Sequence, residues 1–226
     1  MHTITWYGHA TFGMQIGQYQ ILVDPYFSQN PVTPVTAQEV SADFILITHG
    51  HFDHVGDSVE IAKRCGSLII ANAEIAGWMK NKGVQAHPQQ IGGGYQHPFG
   101  YVKLTPALHG SKLPDGSYGG LAAGFLITTN DHKTIYLAGD TGIFSEMALL
   151  GEEGIDLAVL PIGDNYTMGP KDALRALKML QPKTVIPMHV NTWDLIAQDV
   201  DAWKQQVEST TDTHCHPLKP GESFSF

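Results

Sequence analysis

One heptapeptide, Thr48-His49-Gly50-His51-Phe52-Asp53-His54, constrains this chain more than any other stretch of its sequence. It follows Asp43–Thr48, a largely apolar run typical of a strand buried on both faces, and it leads into a segment with helical character. In extended backbone, side chains two residues apart point to the same side, so the rings of His49 and His51 can bind one ion. The pattern therefore predicts a metal site where a buried strand ends.

The rest of the heptapeptide enlarges the predicted site. Asp53 and His54 enter the turn after the strand and can reach a second ion, while Gly50 lets the backbone pass close to the metals. Imidazole and carboxylate ligands together suit zinc, manganese or iron, whereas calcium takes oxygen ligands. The chain has 12 histidines but only 15% charged residues, which agrees with a metal site built mainly from histidine.

Three more candidate ligands stand at or just after the ends of predicted strands: His109, Asp140 and His189. Taken singly, each has an ordinary structural interpretation, because a lone histidine is usually a core or surface residue and an aspartate before Thr-Gly usually caps a turn or a helix. In α/β enzymes, however, ligands from separate strand ends converge at one edge of a sheet. Their shared position predicts that all three join the heptapeptide.

Apolar runs and turn residues predict an α/β fold in which strands come first and then alternate with helices. The predicted strands are Thr3–Tyr7, Thr11–Ile16, Tyr19–Val23, Asp43–Thr48, Ser67–Ala71, Tyr101–Leu108, Leu121–Thr128, Lys133–Leu137, Ile155–Leu160, Lys183–Pro187 and Thr213–Leu218. The predicted helices are Asp57–Arg64, Ala73–Lys82, Phe144–Leu150, Pro170–Leu180 and Asp194–Glu208. A chain of 226 residues with 42% hydrophobic residues and no linker predicts one domain, residues 1–226. The pocket is predicted to be shaped by the loops Pro25–Ser41, Gly92–Gly100 and Gly110–Gly120.

Charge and composition exclude several classes of protein. The net charge of −9 makes the chain a poor partner for nucleic acids and anionic membranes. No apolar run approaches the roughly 18 residues that span a bilayer, and the N-terminal residues lack the basic and apolar regions of a signal peptide. Two cysteines, Cys65 and Cys215, do not make a disulfide framework. The sequence therefore predicts a cytoplasmic protein that acts on a small-molecule substrate.

Read in order, four motifs resemble those of the metallo-β-lactamase fold superfamily: the heptapeptide, His109, Gly139-Asp140-Thr141 and His189. The resemblance covers essentially the whole chain. Within the superfamily, the opening segments Trp6–Thr11 and Ile21–Pro25 are similar to the branch that holds ascorbate-6-phosphate lactonase and N-acylphosphatidylethanolamine phospholipase D. Three further segments closely resemble the UPF0173 metal-dependent hydrolases: Leu137–Gly142, Leu160–Pro170 and Ile186–Thr192.

The resemblance implies a fold and a set of ligands. The implied fold is a four-layer αβ/βα sandwich with two mixed β-sheets and two divalent ions at one edge. The ions would be Zn²⁺ or Mn²⁺, with Fe²⁺ and Ni²⁺ also compatible. Carried over by motif, His49, His51 and His109 bind the first ion, Asp53, His54 and His189 bind the second, and Asp140 bridges the two.

The implied chemistry is hydrolysis by a metal-bridging hydroxide, which two adjacent dications generate near neutral pH. A carboxylate at position 140 goes with phosphodiesters, thioesters and lactones in this superfamily, so a phosphodiester or a phospholactone is the expected substrate. Asp53 and Asp140 are the expected catalytic carboxylates. His9 is expected either to donate a proton to the leaving group or to have a structural role.

Five residues around the motifs are candidates for supporting the ligands or contacting substrate: Asp24, Thr141, Asn165, Asn191 and Thr192. Asp24 is expected to steady a ligand histidine, with an end-of-strand turn as the alternative. Thr141 can present backbone amides to an anion or cap a helix. The other three lie in loops after strands, where they can bind substrate or cap the loop.

Other functions fit the sequence less well. Neither cysteine lies in a ligand motif, which argues against β-lactam hydrolysis. A glyoxalase II thioesterase fits the metal motif, but the resemblance does not include the C-terminal glutathione-binding helices of that family. A nuclease would need a basic arm to hold RNA, and the net charge of −9 argues against one. A non-catalytic sensor or scaffold that holds metal stays open as an alternative. Related branches often assemble into homo-oligomers, which is the expectation here by analogy.

Overall fold

Fourteen strands of the computed structural model, which describes all 226 residues, form two seven-stranded sheets. The first sheet contains β1 (Thr3–Trp6), β2 (Phe12–Ile16), β3 (Tyr19–Val23), β4 (Phe44–Leu46), β5 (Leu68–Asn72), β6 (Ala86–Gln89) and β14 (Ser223–Ser225). The second contains β7 (Gly94–His97), β8 (Gly100–Pro106), β9 (Ala123–Thr129), β10 (Thr134–Leu137), β11 (Leu157–Pro161), β12 (Thr184–Met188) and β13 (His214–Cys215).

Both sheets are mixed, and they follow the same plan. In the first, with strand order 14-1-2-3-4-5-6, β14 through β3 pair antiparallel and β3 through β6 pair parallel. In the second, with order 13-12-11-10-9-8-7, β7 through β10 pair antiparallel and β10 through β13 pair parallel. The parallel strands direct their carboxyl ends to one edge of each sheet, which is where the predicted ligands stand.

Six α-helices and one 3₁₀-helix connect the strands: α1 (Phe52–Val55), α2 (Ser58–Cys65), α3 (Ala73–Asn81), α4 (Met147–Gly151), α5 (Pro170–Leu180), the 3₁₀-helix (Asp194–Ile196) and α6 (Val200–Thr210). Pro170 occupies the first turn of α5, where its missing N–H is not needed. No helix is both long and apolar enough to cross a bilayer.

Three apolar clusters stack the elements into four layers. The inner cluster joins the facing sides of the two sheets, with Phe12 and Val23 from the first sheet and Phe125 and Val159 from the second. A second cluster packs α4, α5 and α6 on the outer side of the second sheet, and a third packs α2 and α3 on the outer side of the first. Alternate strand residues thus feed the inner and outer clusters, as a sheet covered on both faces requires. The predicted αβ/βα sandwich with two mixed sheets is confirmed.

Several predicted boundaries are wrong. The helix predicted over Asp194–Glu208 is interrupted, because Ala197 is extended and the side chain of Asp199 caps a new helix by accepting from Ala202 N. The loop predicted over Gly92–Gly100 contains β7. The strand predicted over Thr213–Leu218 is reduced to two residues, and β6 and β14 were not predicted. These strands lie at or next to sheet edges, where polar residues and proline replace the apolar signal.

Candidate metal centre

All seven predicted ligands come together at one edge of the sandwich. His49 follows β4, and Asp53 and His54 lie in α1, the short helix directly after it. His51 lies between β4 and α1, whereas His109, Asp140 and His189 follow strands of the second sheet, and the side-chain contacts described below join the two sets. Three groups have all their ligand atoms within 4.8 Å of one another. The first group is His49, His51 and His109, the second is His9, Asp53, His54 and His189, and the third, Asp24, His49 and His54, lies behind the other two.

The first group consists of three imidazoles whose nitrogens face each other. His49 Nε2 lies 3.0 Å from His51 Nδ1, which lies 3.3 Å from His109 Nε2. Burial lowers the pKa of His49 well below its usual value, and it also lowers the pKa of His51 and of His109. Neutral imidazoles with converging nitrogens are the form in which histidine binds metal.

The tautomer of His49 is set by its neighbours. The Thr48 hydroxyl donates to Asp24 Oδ2 at 2.6 Å, so its oxygen is left to accept from His49 Nδ1 at 3.0 Å. His49 Nδ1 therefore carries the proton, and Nε2 presents a lone pair to the cluster. This contact gives His49 the oriented outer ring nitrogen that ligand histidines usually have.

Asp140 lies between the first and second groups. Its Oδ2 is 3.1 Å from His189 Nε2, 3.4 Å from His54 Nε2 and 3.5 Å from His109 Nε2. Burial alone would raise the pKa of this carboxyl, but the adjacent His189 and His54 hold it well below its usual range. Asp140 is thus a buried anion in contact with histidines of both groups.

Three buried polar atoms in the cluster have no hydrogen-bond partner within the protein: His54 Nε2, Asp140 Oδ1 and His189 Nδ1. An unpaired buried polar atom costs about 1–3 kcal/mol, so a cluster with three of them is expensive without a further partner. An imidazole nitrogen whose proton a metal ion displaces and a free carboxylate oxygen are donor atoms that zinc and manganese take. The residues present therefore fit divalent metal.

Asp24 fixes the orientation of His54 from behind. Asp24 Oδ2 accepts from His54 Nδ1 at 2.8 Å, and Oδ1 accepts from the Thr48 backbone N–H at 2.8 Å. Burial would lower the pKa of His54, but the carboxylates of Asp140, Asp24 and Asp53 together hold it well above its usual value. With Nδ1 bonded to Asp24, the Nε2 atom of His54 is directed into the cluster.

His9 is completely buried behind Asp53. Its Nε2 donates to Asp53 Oδ2 at 3.1 Å, and its Nδ1 accepts from the Thr192 hydroxyl at 2.9 Å. Burial lowers the pKa of His9 to about 4 against the opposing effect of Asp53, so the ring is neutral. The ring packs on those of His189 and Trp193, with centroids 4.2 and 4.7 Å away. His9 does not reach the open cleft.

Two glycines allow the segments that carry ligands to approach their neighbours closely. Gly139 has a φ of +63°, and a Cβ there would come within 2.9 Å of the Thr48 side chain. A Cβ at Gly163 would overlap the backbone oxygen of His189. Larger residues at these positions would therefore displace the segments that carry Asp140 and His189.

The remaining predicted site residues have structural contacts. Buried Thr141 accepts from Leu108 N through its hydroxyl at 2.9 Å, which ties the turn after β10 to the segment that carries His109. Exposed Asn191 accepts from Gln198 N, and exposed Asn165 uses its backbone N–H to bind Asp164. Neither these residues nor Thr192 line the open cleft.

A cleft of about 460 Å³ opens over the cluster. Its lining residues are His51, Phe52, Asp53, His109, Asp140, Tyr166, His189, Trp193 and Leu195. None of them comes from the three loops predicted to shape the pocket. They come from the segments after β4, β8, β10, β11 and β12, while the 110–120 loop packs behind them, with Ser111 Oγ accepting from Gly50 N at 3.0 Å. Sequence reasoning missed the cleft positions of Phe52, Tyr166, Trp193 and Leu195. Phe52 stands within the heptapeptide itself, Tyr166 follows β11, and Trp193 and Leu195 follow β12 and its ligand His189.

Comparison with known proteins identifies the family. Residues 19–190 match the family described as the beta-lactamase superfamily domain. A UPF0173 metal-dependent hydrolase of Heliobacterium modesticaldum is 47% identical over 230 aligned positions, covering 98% of this chain and 96% of that protein. The chain belongs to the UPF0173 metal-dependent hydrolases. It is therefore a metal-dependent hydrolase with the metallo-β-lactamase fold.

Solved structures agree with this family membership. The metallo hydrolase Igni18 from the hyperthermophilic archaeon Ignicoccus hospitalis is 37% identical and superposes with a TM-score of 0.91, covering 100% of this chain and 99% of that one. An isothiocyanate hydrolase from Delia radicum gut bacteria has a TM-score of 0.77 at 23% identity, covering 99% of this chain and 98% of that one. The second likeness shows that the two proteins share a fold.

Proposed function

We propose that this UPF0173 hydrolase uses two divalent ions, Zn²⁺ or Mn²⁺ with Fe²⁺ and Ni²⁺ as alternatives, to cleave an ester-like bond in a small molecule. The observation that carries the proposal is the position of Asp140, whose Oδ2 lies within 3.5 Å of His54, His109 and His189. A carboxylate in contact with both ligand groups supports a pair of ions better than a single one.

The proposed ligands follow the first two of these groups without His9, whose two ring nitrogens bond to Thr192 and Asp53. His49, His51 and His109 would hold one ion, Asp53, His54 and His189 the other, and Asp140 both. When bound, such a pair of ions supplies a strong nucleophile from water at neutral pH and a Lewis acid for the substrate oxygen. A phosphodiester or a phospholactone is the proposed substrate, in keeping with the carboxylate at position 140.

The protein's own groups prepare the site for this reaction. Asp53 lines the cleft with 12% of its side chain exposed, so its carboxylate is placed to orient a water or accept a proton from it. Burial would raise the pKa of Asp53, but His54 and His9 hold it well below its usual value, so it is ionised. The hydrogen bond from His9 Nε2 to Asp53 Oδ2 fixes the orientation of the Asp53 carboxylate, which supports a positioning role for His9.

Metal titration of stripped protein tests the proposal. Protein freed of metal by chelation is expected to be inactive, and stepwise addition of Mn²⁺ or Zn²⁺ should restore turnover of bis(p-nitrophenyl) phosphate or of a simple lactone. Activity that rises mainly with the second equivalent supports the two-ion proposal. Full activity at one equivalent would contradict it, and two bound equivalents without turnover of either substrate would favour a metal-holding sensor.

Paired substitutions of His9 test its positioning role. In His9→Gln the side-chain amide can replace Nε2 toward Asp53, whereas in His9→Asn the shorter amide can replace only Nδ1 toward Thr192. We expect His9→Asn to weaken metal binding by about 10–100-fold, as loss of support for a metal ligand does, and His9→Gln to retain most of the affinity. Calorimetric titration with Zn²⁺ measures both variants. Equal affinities in the two would contradict the role of the His9–Asp53 contact.

A further inference from the structure

The cleft has two chemically different walls. One consists of the histidines and aspartates of the metal centre. The other consists of Phe52, Tyr166, Trp193 and Leu195, of which Phe52 is 53% exposed, Tyr166 51% and Leu195 68%. These four side chains, called here the apolar wall, come from three separate segments: α1, the loop after β11, and the segment around the 3₁₀-helix. Large apolar side chains that are exposed together at an open cleft indicate a ligand-binding surface, whereas core side chains are buried.

Two rings of the apolar wall, Phe52 and Trp193, are held in place by packing. The Phe52 ring contacts the edge of Tyr26, with centroids 5.9 Å apart, and the Trp193 ring packs on buried His9 at 4.7 Å. Rings fixed in this way lose little conformational freedom when a ligand covers them, so their burial contributes to affinity. Covering exposed apolar surface is favourable by roughly 25 cal/mol per Å².

The cleft offers no lysine or arginine side chain to a second anionic group. No lysine or arginine lines it. Lys112, which lies in the 110–120 loop near Gly50, runs along Gly116 of its own loop, and Arg64 donates to the backbone oxygens of Ala37 and Val40. Recognition of a phosphate or carboxylate usually relies on arginine or lysine.

We propose that the part of the substrate that does not react is uncharged and apolar, an aryl or alkyl group that lies on the apolar wall. The inference rests on the proposed function and narrows it. It favours a neutral lactone or ester, or a phosphodiester whose only charge is at the reacting phosphorus. It disfavours a phospholactone, whose additional phosphate would lie in the cleft without a cationic partner.

Two esters with the same leaving group provide the kinetic test. p-Nitrophenyl pentanoate and the p-nitrophenyl monoester of glutarate share the reacting bond, but one acyl chain ends in a methyl group and the other in a carboxylate. With metal-loaded enzyme, kcat/KM for the pentanoate should exceed that for the glutarate by at least about tenfold, because the carboxylate would be desolvated without a partner. Equal values, or a preference for the glutarate, would overturn the inference while leaving the proposed hydrolysis intact.

A charge placed on the apolar wall should change this preference. Leu195→Lys should lower the pentanoate-to-glutarate ratio by about fivefold, the effect of a partly exposed ion pair. Leu149→Lys on α4 is the matched control, since Leu149 is 62% exposed, does not line the cleft and alters net charge equally. Tyr166→Lys repeats the test if Leu195→Lys does not fold. A ratio that is unchanged in the cleft variant, or changed equally in the control, would overturn the inference.

A binding measurement tests the inference even if the enzyme hydrolyses neither ester. The p-nitroanilides of pentanoate and glutarate resist hydrolysis and can be titrated into the metal-loaded protein by calorimetry. The neutral anilide should bind at least about tenfold more tightly than the anionic one, and Leu195→Lys should reduce that difference. Equal binding would overturn the inference. Failure of the proposed function would instead appear as binding of the neutral anilide without turnover of any ester.

Discussion

Asp140→Asn is expected to lower kcat by at least about 10³-fold, because the metal pair of such an enzyme supplies several kcal/mol of transition-state stabilisation. Asparagine has nearly the shape of aspartate, so the fold should survive. It lacks the negative charge that faces His54, His109 and His189, and its amide group cannot bind two cations. Metal content, measured on the purified variant by inductively coupled plasma mass spectrometry, should fall from two ions per chain to at most about one.

Asp172→Asn is the matched control for this change. Asp172 lies on α5, has 43% of its side chain exposed and pairs with Arg175 at 2.9 Å, so its substitution removes the same charge at a residue that neither joins the cluster nor lines the cleft. An exposed pair of this kind contributes little, so we expect normal metal content and normal kcat. Two bound ions and undiminished kcat in Asp140→Asn would show that this carboxylate does not bridge the ions.

Asp24→Ala is expected to have the largest effect on stability, about 3 kcal/mol or more of the free energy of unfolding in metal-free protein. The change removes the acceptor of three buried donors, namely the backbone N–H and hydroxyl of Thr48 and the Nδ1–H of His54. It also leaves His54 without the contact that orients it, so Zn²⁺ affinity should fall by about 10–100-fold. Urea unfolding and calorimetry measure the two effects.

Asp156→Ala is the control that separates a general loss of buried hydrogen bonds from the specific loss of Zn²⁺ affinity expected in Asp24→Ala. Asp156 is partly buried, with 10% of its side chain exposed, and accepts from Thr134 N and Lys183 Nζ. It lies just before β11, at the opposite end of that strand from the site. We expect it to lower stability without changing Zn²⁺ affinity. If both variants lost stability equally and neither lost affinity, Asp24 would have no role at the metal centre.

That the proposed ligands come together could be predicted from sequence because the signals are local and concern the backbone. Alternation in an extended strand places His49 and His51 on one side, and the ends of parallel strands meet at one edge of a sheet. Apolar runs marked the central strands, which are buried on both faces, and Pro170 marked the start of α5. Each of these signals is contained within a few consecutive residues.

What could not be predicted depends on contacts between distant segments. Nothing in the residues around Phe52, Tyr166 or Leu195 shows that they face one cleft, because each lies in a different connection. Thr192 and His9 are 183 residues apart, and only the fold pairs their side chains. The interruption before α6 likewise depends on Gln198, which binds Asn191 and Gly163 instead of continuing a helix.

Anomalous diffraction from crystals of the Zn²⁺- or Mn²⁺-loaded protein, collected at the metal absorption edge, tests the central claim most directly. The account predicts two anomalous peaks about 3.5–4 Å apart, the spacing of two-metal sites, with the Asp140 carboxylate between them. One peak should lie among His49, His51 and His109, and the other among Asp53, His54 and His189. A single peak in fully loaded crystals, or two peaks without Asp140 between them, would contradict it.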